Sequence, residues 1–146
     1  MYKNILLPVD GSELSEKAVM ECVRFAKSAG AKVTVIHAVS RYHLNYSGMP
    51  QIVRKIEKDH EDEAKQLAQD WIDKLVTRIR AEGVDCEGLI VLGDSPDEEI
   101  IGLADQRKCD LIIMASHGHK GLNAVLMGSE TLKVLTHSKI PVLIVK

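Results

Sequence analysis

Five short apolar runs punctuate the chain, and the segments between them repeat with helical spacing. The runs are "NILLPV" (Asn4 to Val9), "KVTVIHAV" (Lys32 to Val39), "EGLIVL" (Glu87 to Leu92), "DLIIMA" (Asp110 to Ala115) and "PVLIVK" (Pro141 to Lys146). Each is rich in Val, Ile and Leu and mostly continuous rather than alternating, as strands buried on both faces are. The pattern predicts a mainly parallel sheet covered by helices.

The intervening segments carry helix punctuation. Ser12 is placed to cap a helix from Glu13 to about Ala29, closed by Gly30. A long middle helix is clearest between Glu57 and Ala81, where Ala64, Leu67, Ala68, Trp71, Leu75 and Ile79 share one face. "SPDE" at Ser95 to Glu98 reads as a capping box, with Pro96 at the first helical position and a helix to about Arg107. A last helix runs from near Ser129 to near His137. The sum is β-α-β-α-β-α-β-α-β: a five-stranded, mainly parallel sheet with four helices in one doubly wound α/β domain spanning 1–146. The polar, aromatic segment "SRYHLNYSGMP" (Ser40 to Pro50) does not fit either pattern. A loop of that length is expected to be functional or mobile, with Tyr42, His43 and Tyr46 forming a lid or a partner surface.

Composition narrows the function classes. The chain has 146 residues, 45% hydrophobic and 27% charged, with a formal charge of −2. Those values fit a globular domain, and without Lys/Arg clusters or interleaved aromatics no nucleic-acid partner is expected. "MYKNILLPVD" is too short an apolar run for a leader, and no stretch has the roughly 20 apolar residues of a membrane span. A cytoplasmic location with no membrane partner is therefore expected. Cys22, Cys86 and Cys109 show no paired spacing. Cys22 and Cys109 read as small buried thiols, Cys86 as partly exposed, and none as activated.

Open α/β sheets bind ligands outside the carboxyl ends of their strands, where strand order reverses. The segments there are "PVDGS", "AVS", "GDSP" and "ASHG". If the reversal falls between the first and fourth strands, Asp10 faces the loop from Ala115 to Gly118 across a crevice. Asp10 could accept bonds from sugar hydroxyls, help hold a divalent metal, or cap the first helix turn. The stretch "ASHGHKGLNAVLMGS" (Ala115 to Ser129) ends where the amides of Gly128, Ser129 and Glu130 open the last helix, a position that attracts anions. Ser129 also suits a plain N-cap. His117 and His119 lack the further ligands of a metal site, so no metal is assigned to them. His119 and Lys120 are placed to offer positive charge to a phosphate, and His37 reads as a satisfied core histidine. Neither G-x-S-x-G nor a nucleophile–base pair is present.

"ILLPVDGS", "HAV", "GDSPDEEI" and "IPVLIVK", with the loop between them, resemble the universal stress protein family over essentially the whole chain. ATP-binding members carry G-x-x-G, nine residues, then G-[ST]. Here Gly118, Gly128 and Ser129 keep that spacing, while Ala115 replaces the first glycine. Alanine adds one methyl, which costs only local crowding in ordinary β backbone but would shift the loop if φ were positive. Because Ala115 directly ends a strand, the milder case is expected.

The resemblance implies a Rossmann-like fold of the adenine nucleotide alpha hydrolase type. It places Pro8, Val9, Asp10 and Ala38 along adenine and ribose with Met114 beneath. Ala115, His117, Gly118, Gly128, Ser129 and Glu130 fall around the phosphates. The implied ligand is ATP, or AMP or ADP, with Mg2+ accompanying the nucleotide. The implied protein is a dimeric regulatory module of the stress response, with slow or no hydrolysis and a protein partner the sequence does not name. The apolar last strand, with nothing after it to cover an edge, is the expected homodimer contact. Two alternatives stand beside this reading: a family member that binds partners without nucleotide, and a true ATP-processing transferase.

Overall fold

The computed structural model describes residues 1–118 and 127–146. Its order is β1 (Asn4–Pro8), α1 (Glu13–Ala29), β2 (Lys32–Val39), α2 (Pro50–Ala81), β3 (Cys86–Leu92), α3 (Pro96–Gln106), β4 (Leu111–Ala115), α4 (Ser129–His137) and β5 (Val142–Val145). The five strands form one sheet in the order β3-β2-β1-β4-β5, and every neighbouring pair is parallel. The chain leaves β1 toward β2 and β3, then crosses back to place β4 and β5 on the other side. The order therefore reverses between β1 and β4.

Alternation along each strand explains the two layers of helices. Ile5, Leu7, Val33, Val35, Leu111 and Ile113 pack on one face with Ala18, Val19, Cys22 and Ala26 of α1 and with Ile72, Leu75 and Ile79 of α2. Leu6, Ile36, Ile112 and Met114 point the other way, against Ile100 and Ala104 of α3 and Val134 of α4. Both faces are thus buried, which is why the strands read as continuous apolar runs. Each of these Ile, Leu and Val side chains contributes about 1.5–3 kcal/mol relative to an exposed position.

Local signals decide the helix ends. Ser12, in extended backbone, accepts a hydrogen bond from the Ser15 amide, and Gly30 closes α1 in the left-handed conformation at φ 64°. The Gly30 amide returns to the Ala26 carbonyl. Asn4, half-satisfied at the start of β1, ties the α3–β4 turn by donating from Nδ2 to the Arg107 and Lys108 carbonyls.

Three expectations need correction. The long helix begins at Pro50, and its buried residues are Ala68, Ile72, Leu75, Val76 and Ile79, all in its second half. Leu67 does not share that face and is 66% exposed. The capping box at Ser95 does not form: Ser95 makes no side-chain cap, and the Asp97 amide donates instead to Glu130 Oε2 at 3.3 Å. A carboxylate from α4 has taken the role that local sequence assigned to Ser95. Cys86, finally, is buried.

Candidate functional site

The reversal between β1 and β4 opens a cleft of about 480 Å³ at the carboxyl ends of the strands. Pro8, Val9 and Asp10 reach it from the end of β1, and Ala38 from β2. Met114 and Ala115 come from β4, with His117 and Gly118 following it. Gly128, Ser129 and Glu130 enter at the start of α4. All eleven residues singled out from sequence meet at this one cleft. His119 and Lys120 lie outside the described residues.

Asp10 is held by its own backbone surroundings. The Ser12 amide donates to Asp10 Oδ1 at 2.9 Å, and the Asp10 amide donates to Ser15 Oγ at 3.2 Å. Ser12, not Asp10, caps α1. The carboxylate lies against Gly118: a Cβ built on Gly118 would run into Asp10 Oδ2. A side chain at 118 would make Asp10 shift, so this close approach favours glycine.

Ala115 is the last residue of β4, paired with Val145, and its φ is not among the positive values of the described residues. The methyl group therefore sits in ordinary β backbone, in line with the milder expectation. Gly128 is also extended, at φ −63° and ψ 152°. Its need for glycine is proximity: an added Cβ would stand 3.1 Å from His117 Cα and 3.4 Å from the Ser116 carbonyl oxygen. The Gly128 amide donates to that oxygen at 2.7 Å, which pins the entrance of α4 to the exit of β4. Thr131 adds a buried tie, its Oγ1 donating to the Ala115 carbonyl at 2.9 Å.

α4 is consequently capped by Gly128, not by Ser129, and among the described residues no side chain caps it. The amides of Ser129, Glu130 and Thr131 have no intrahelical acceptor. Their residues line the cleft at the positive end of the helix dipole, the arrangement that favours an anion. The Glu130 side chain turns aside, bridging the Asp97 amide and Lys133 Nζ, the latter at 3.1 Å.

The cleft has walls that sequence reasoning passed over. Ser15, Ile36, His37, Ser40, Asp94, Pro96, Ile100 and Thr131 also line it. Ser40 and Asp94 belong to strand-end segments, so the position of "AVS" and "GDSP" was the available signal. His37 is half-buried rather than wholly in the core. Its Nδ1 donates to the Val9 carbonyl at 2.8 Å, and its ring meets Trp71 edge-on at 5.1 Å between centroids.

Asp94 joins the cleft to the Ser40–Pro50 loop. It accepts from the Arg41 amide at 3.3 Å and lies 3.2 Å from His43 Nε2. That hydrogen bond from His43, more than any other influence, holds the Asp94 carboxyl below its usual range. Glu57 and Glu61 of α2 accept from the Leu44 and Tyr42 amides, and Tyr42 stacks on His60 at 3.9 Å. The loop is fastened along α2 at the mouth of the cleft. A second cleft, at the opposite end of the sheet, collects Lys3, Lys27 and Lys32. Lys3 Nζ donates there to the Ala29 carbonyl, the service a helix carboxyl end requires.

The model of the family described as "Universal stress protein family" matches residues 1–146. The chain belongs to the universal stress protein family. Universal stress protein MJ0531 of Methanocaldococcus jannaschii is 32% identical, over 100% of this chain and 83% of that protein. Universal stress protein MJ0577 of the same organism is 30% identical, over 100% and 96%. The solved structure of MJ0577 has a TM-score of 0.88 at 31% identity, covering 100% of this chain and 96% of that one. A universal stress protein in complex with cAMP matches with a TM-score of 0.71 at 25% identity, covering 99% and 96%. These likenesses extend over the whole β3-β2-β1-β4-β5 architecture.

Proposed function

We propose that this universal stress protein is an adenine-nucleotide-binding regulatory module acting in the cytoplasm. One observation carries the reading: the start of α4, without a side-chain cap among the described residues, lines the β1/β4 cleft beside two glycines at which an added Cβ would crowd Asp10 and the backbone of His117. The cAMP complex of a structural relative supports the choice of an adenine nucleotide. In this reading Pro8, Val9, Asp10, Ala38 and Met114 take the nucleoside. Ala115, His117, Gly118, Gly128, Ser129 and Glu130 surround its phosphates. ATP, AMP and ADP are the candidate ligands, with Mg2+ accompanying the more highly phosphorylated ones.

Binding, with hydrolysis slow at most, is the proposed activity. β5 is the edge of the sheet, with Leu143 37% exposed, and it is the proposed homodimer contact. The second reading, a dimeric partner-binding module without nucleotide, is favoured by Ala115 in place of the motif's first glycine.

Calorimetric titration of protein stripped of carried-over ligand, with AMP, cAMP and ATP with and without Mg2+, tests the proposal. Thermal unfolding gives a second measure: a ligand at 100 times its Kd adds about 2.7 kcal/mol. Binding that is lost in Gly118→Asp supports the nucleotide site. No binding of any of the three at millimolar concentration overturns it in favour of the second reading.

A further inference from the structure

The first half of α2 presents an apolar stripe that the fold does not use. Met49, Ile52 and Ile56 are 65%, 53% and 45% exposed, and Leu67 falls on the same line of the helix. The spacing, three and four residues at a time with His60 and Glu63 between, keeps these positions on one side. From Met49 to Leu67 the stripe runs about 27 Å. Single exposed apolar residues are ordinary, but four in one line are a surface with an occupant.

We propose that the occupant is a second copy of this chain, with the two α2 helices antiparallel. Charge supports that choice. Arg54, Lys55 and Lys58 make the beginning of the stripe basic, and Asp59, Glu61, Asp62 and Glu63 make the following turns acidic. An antiparallel pair with its two-fold level with Lys58 sets Met49 of one copy against Leu67 of the other, and Ile56 against the stacked His60–Tyr42 pair. It brings Lys55 of each copy beside Asp59 and Asp62 of the other. None of these three is in an ion pair with another described residue. A parallel pair would instead face like charges. The residues anchoring α2 to its own core begin at Ala68, which places the two cores toward opposite ends of the pair. Two helices in contact over this length bury on the order of 1,000 Å² in total, the lower limit for specific association, so the pairing is weak and concentration-dependent.

This surface is separate from the cleft and from β5, and its test is run in a Leu143→Asp background that removes any association through the edge strand. Sedimentation velocity at low ionic strength, across a concentration series, reads the assembly. The expected result is a concentration-dependent dimer abolished by Ile56→Asp. Lys55→Glu and Asp62→Lys should each weaken it about threefold to tenfold, since the two-fold repeats every exposed pair. The double variant should recover most of the loss. All four positions are exposed, and unchanged circular dichroism and Tm verify folding. Strict monomer at every concentration overturns the proposal. So does a dimer indifferent to Ile56→Asp, or charge-swap losses that add instead of cancelling.

Discussion

The Asp10 carboxylate occupies the space into which a side chain at residue 118 would have to grow. Oδ1 of the same carboxylate holds the Ser12 amide at the entrance of α1. Gly118→Ala therefore cannot be absorbed by a free swing of Asp10 without giving up that bond. The variant is expected to lose about 1–2 kcal/mol, by urea unfolding, from one displaced hydrogen bond plus crowding. Its affinity for adenine nucleotide should fall as well. An unchanged unfolding midpoint would mean that the loop after β4 yields instead of Asp10.

Ala115→Gly restores the motif's first glycine, yet the structure gives it nothing to improve. Ala115 is a strand residue whose carbonyl already serves Thr131 and whose partner is Val145. Nucleotide affinity should stay within about twofold, while stability drops by about 0.5–1 kcal/mol because glycine weakens a strand. A large gain in affinity would show that the methyl group itself had been filling ligand space.

Glu130, ion-paired with Lys133, is one of three carboxylates in the cleft lining, with Asp10 and Asp94. A carboxylate in the same cleft repels added phosphate charge, a repulsion that the Lys133 ammonium 3.1 Å from Glu130 and salt both reduce. Glu130→Gln should thus tighten metal-free ATP by about threefold to tenfold and leave cAMP nearly unchanged; Mg2+ should erase most of the difference. Equal effects on both ligands would remove Glu130 from any role in discriminating charge.

Burial raises all three thiols, Cys22 to about 12 and Cys86 and Cys109 to about 11. Unfolded, each ionises near 9, so the native state keeps its protons longer. Their contribution to stability is whole below pH 9 and declines as pH climbs from 9 toward 11. Urea unfolding of wild type and Cys22→Ala between pH 8 and 10.5 measures this. The variant should show the shallower decline, and parallel curves would refute the linkage. Native protein should also resist thiol reagents until unfolded.

The sheet was readable because burial on both faces leaves an unbroken apolar signature, as in "DLIIMA". The bounds of α1 were readable because caps and periodicity agree there, while those of α4 followed from periodicity although Gly128, not Ser129, is its cap. The opening turns of α2 escaped: nothing of the core touches them, so Gln51 to Ile56 show no face that burial would mark. Leu67 misled for the related reason that periodicity identifies a line of apolar residues without telling which side the core lies on. Ser95 failed as a cap because a carboxylate 35 residues along the chain, on Glu130, reached the Asp97 amide, a competition no local window contains. Asp10, the loop from Ala115 to Gly118 and the start of α4 were found from strand ends, and the family resemblance supplied Pro8, Val9, Ala38 and Met114. His37 was missed because a histidine within an apolar run looks the same whether its ring faces packing or a cleft.

The Ser116 amide, one step past β4, donates to the carbonyl of Val145 in the final strand at 2.8 Å. The outermost strand and the lip of the cleft are therefore one hydrogen bond apart. Anything that adds a strand to the outer side of β5 restricts the backbone on which Ser116, His117 and Gly118 are strung. A ligand that orders those residues lowers, by the same free energy, the cost of ordering β5 for its neighbour. In the proposed reading, where the cleft takes a nucleotide and β5 a partner strand, whatever coupling this bond carries is equal in both directions.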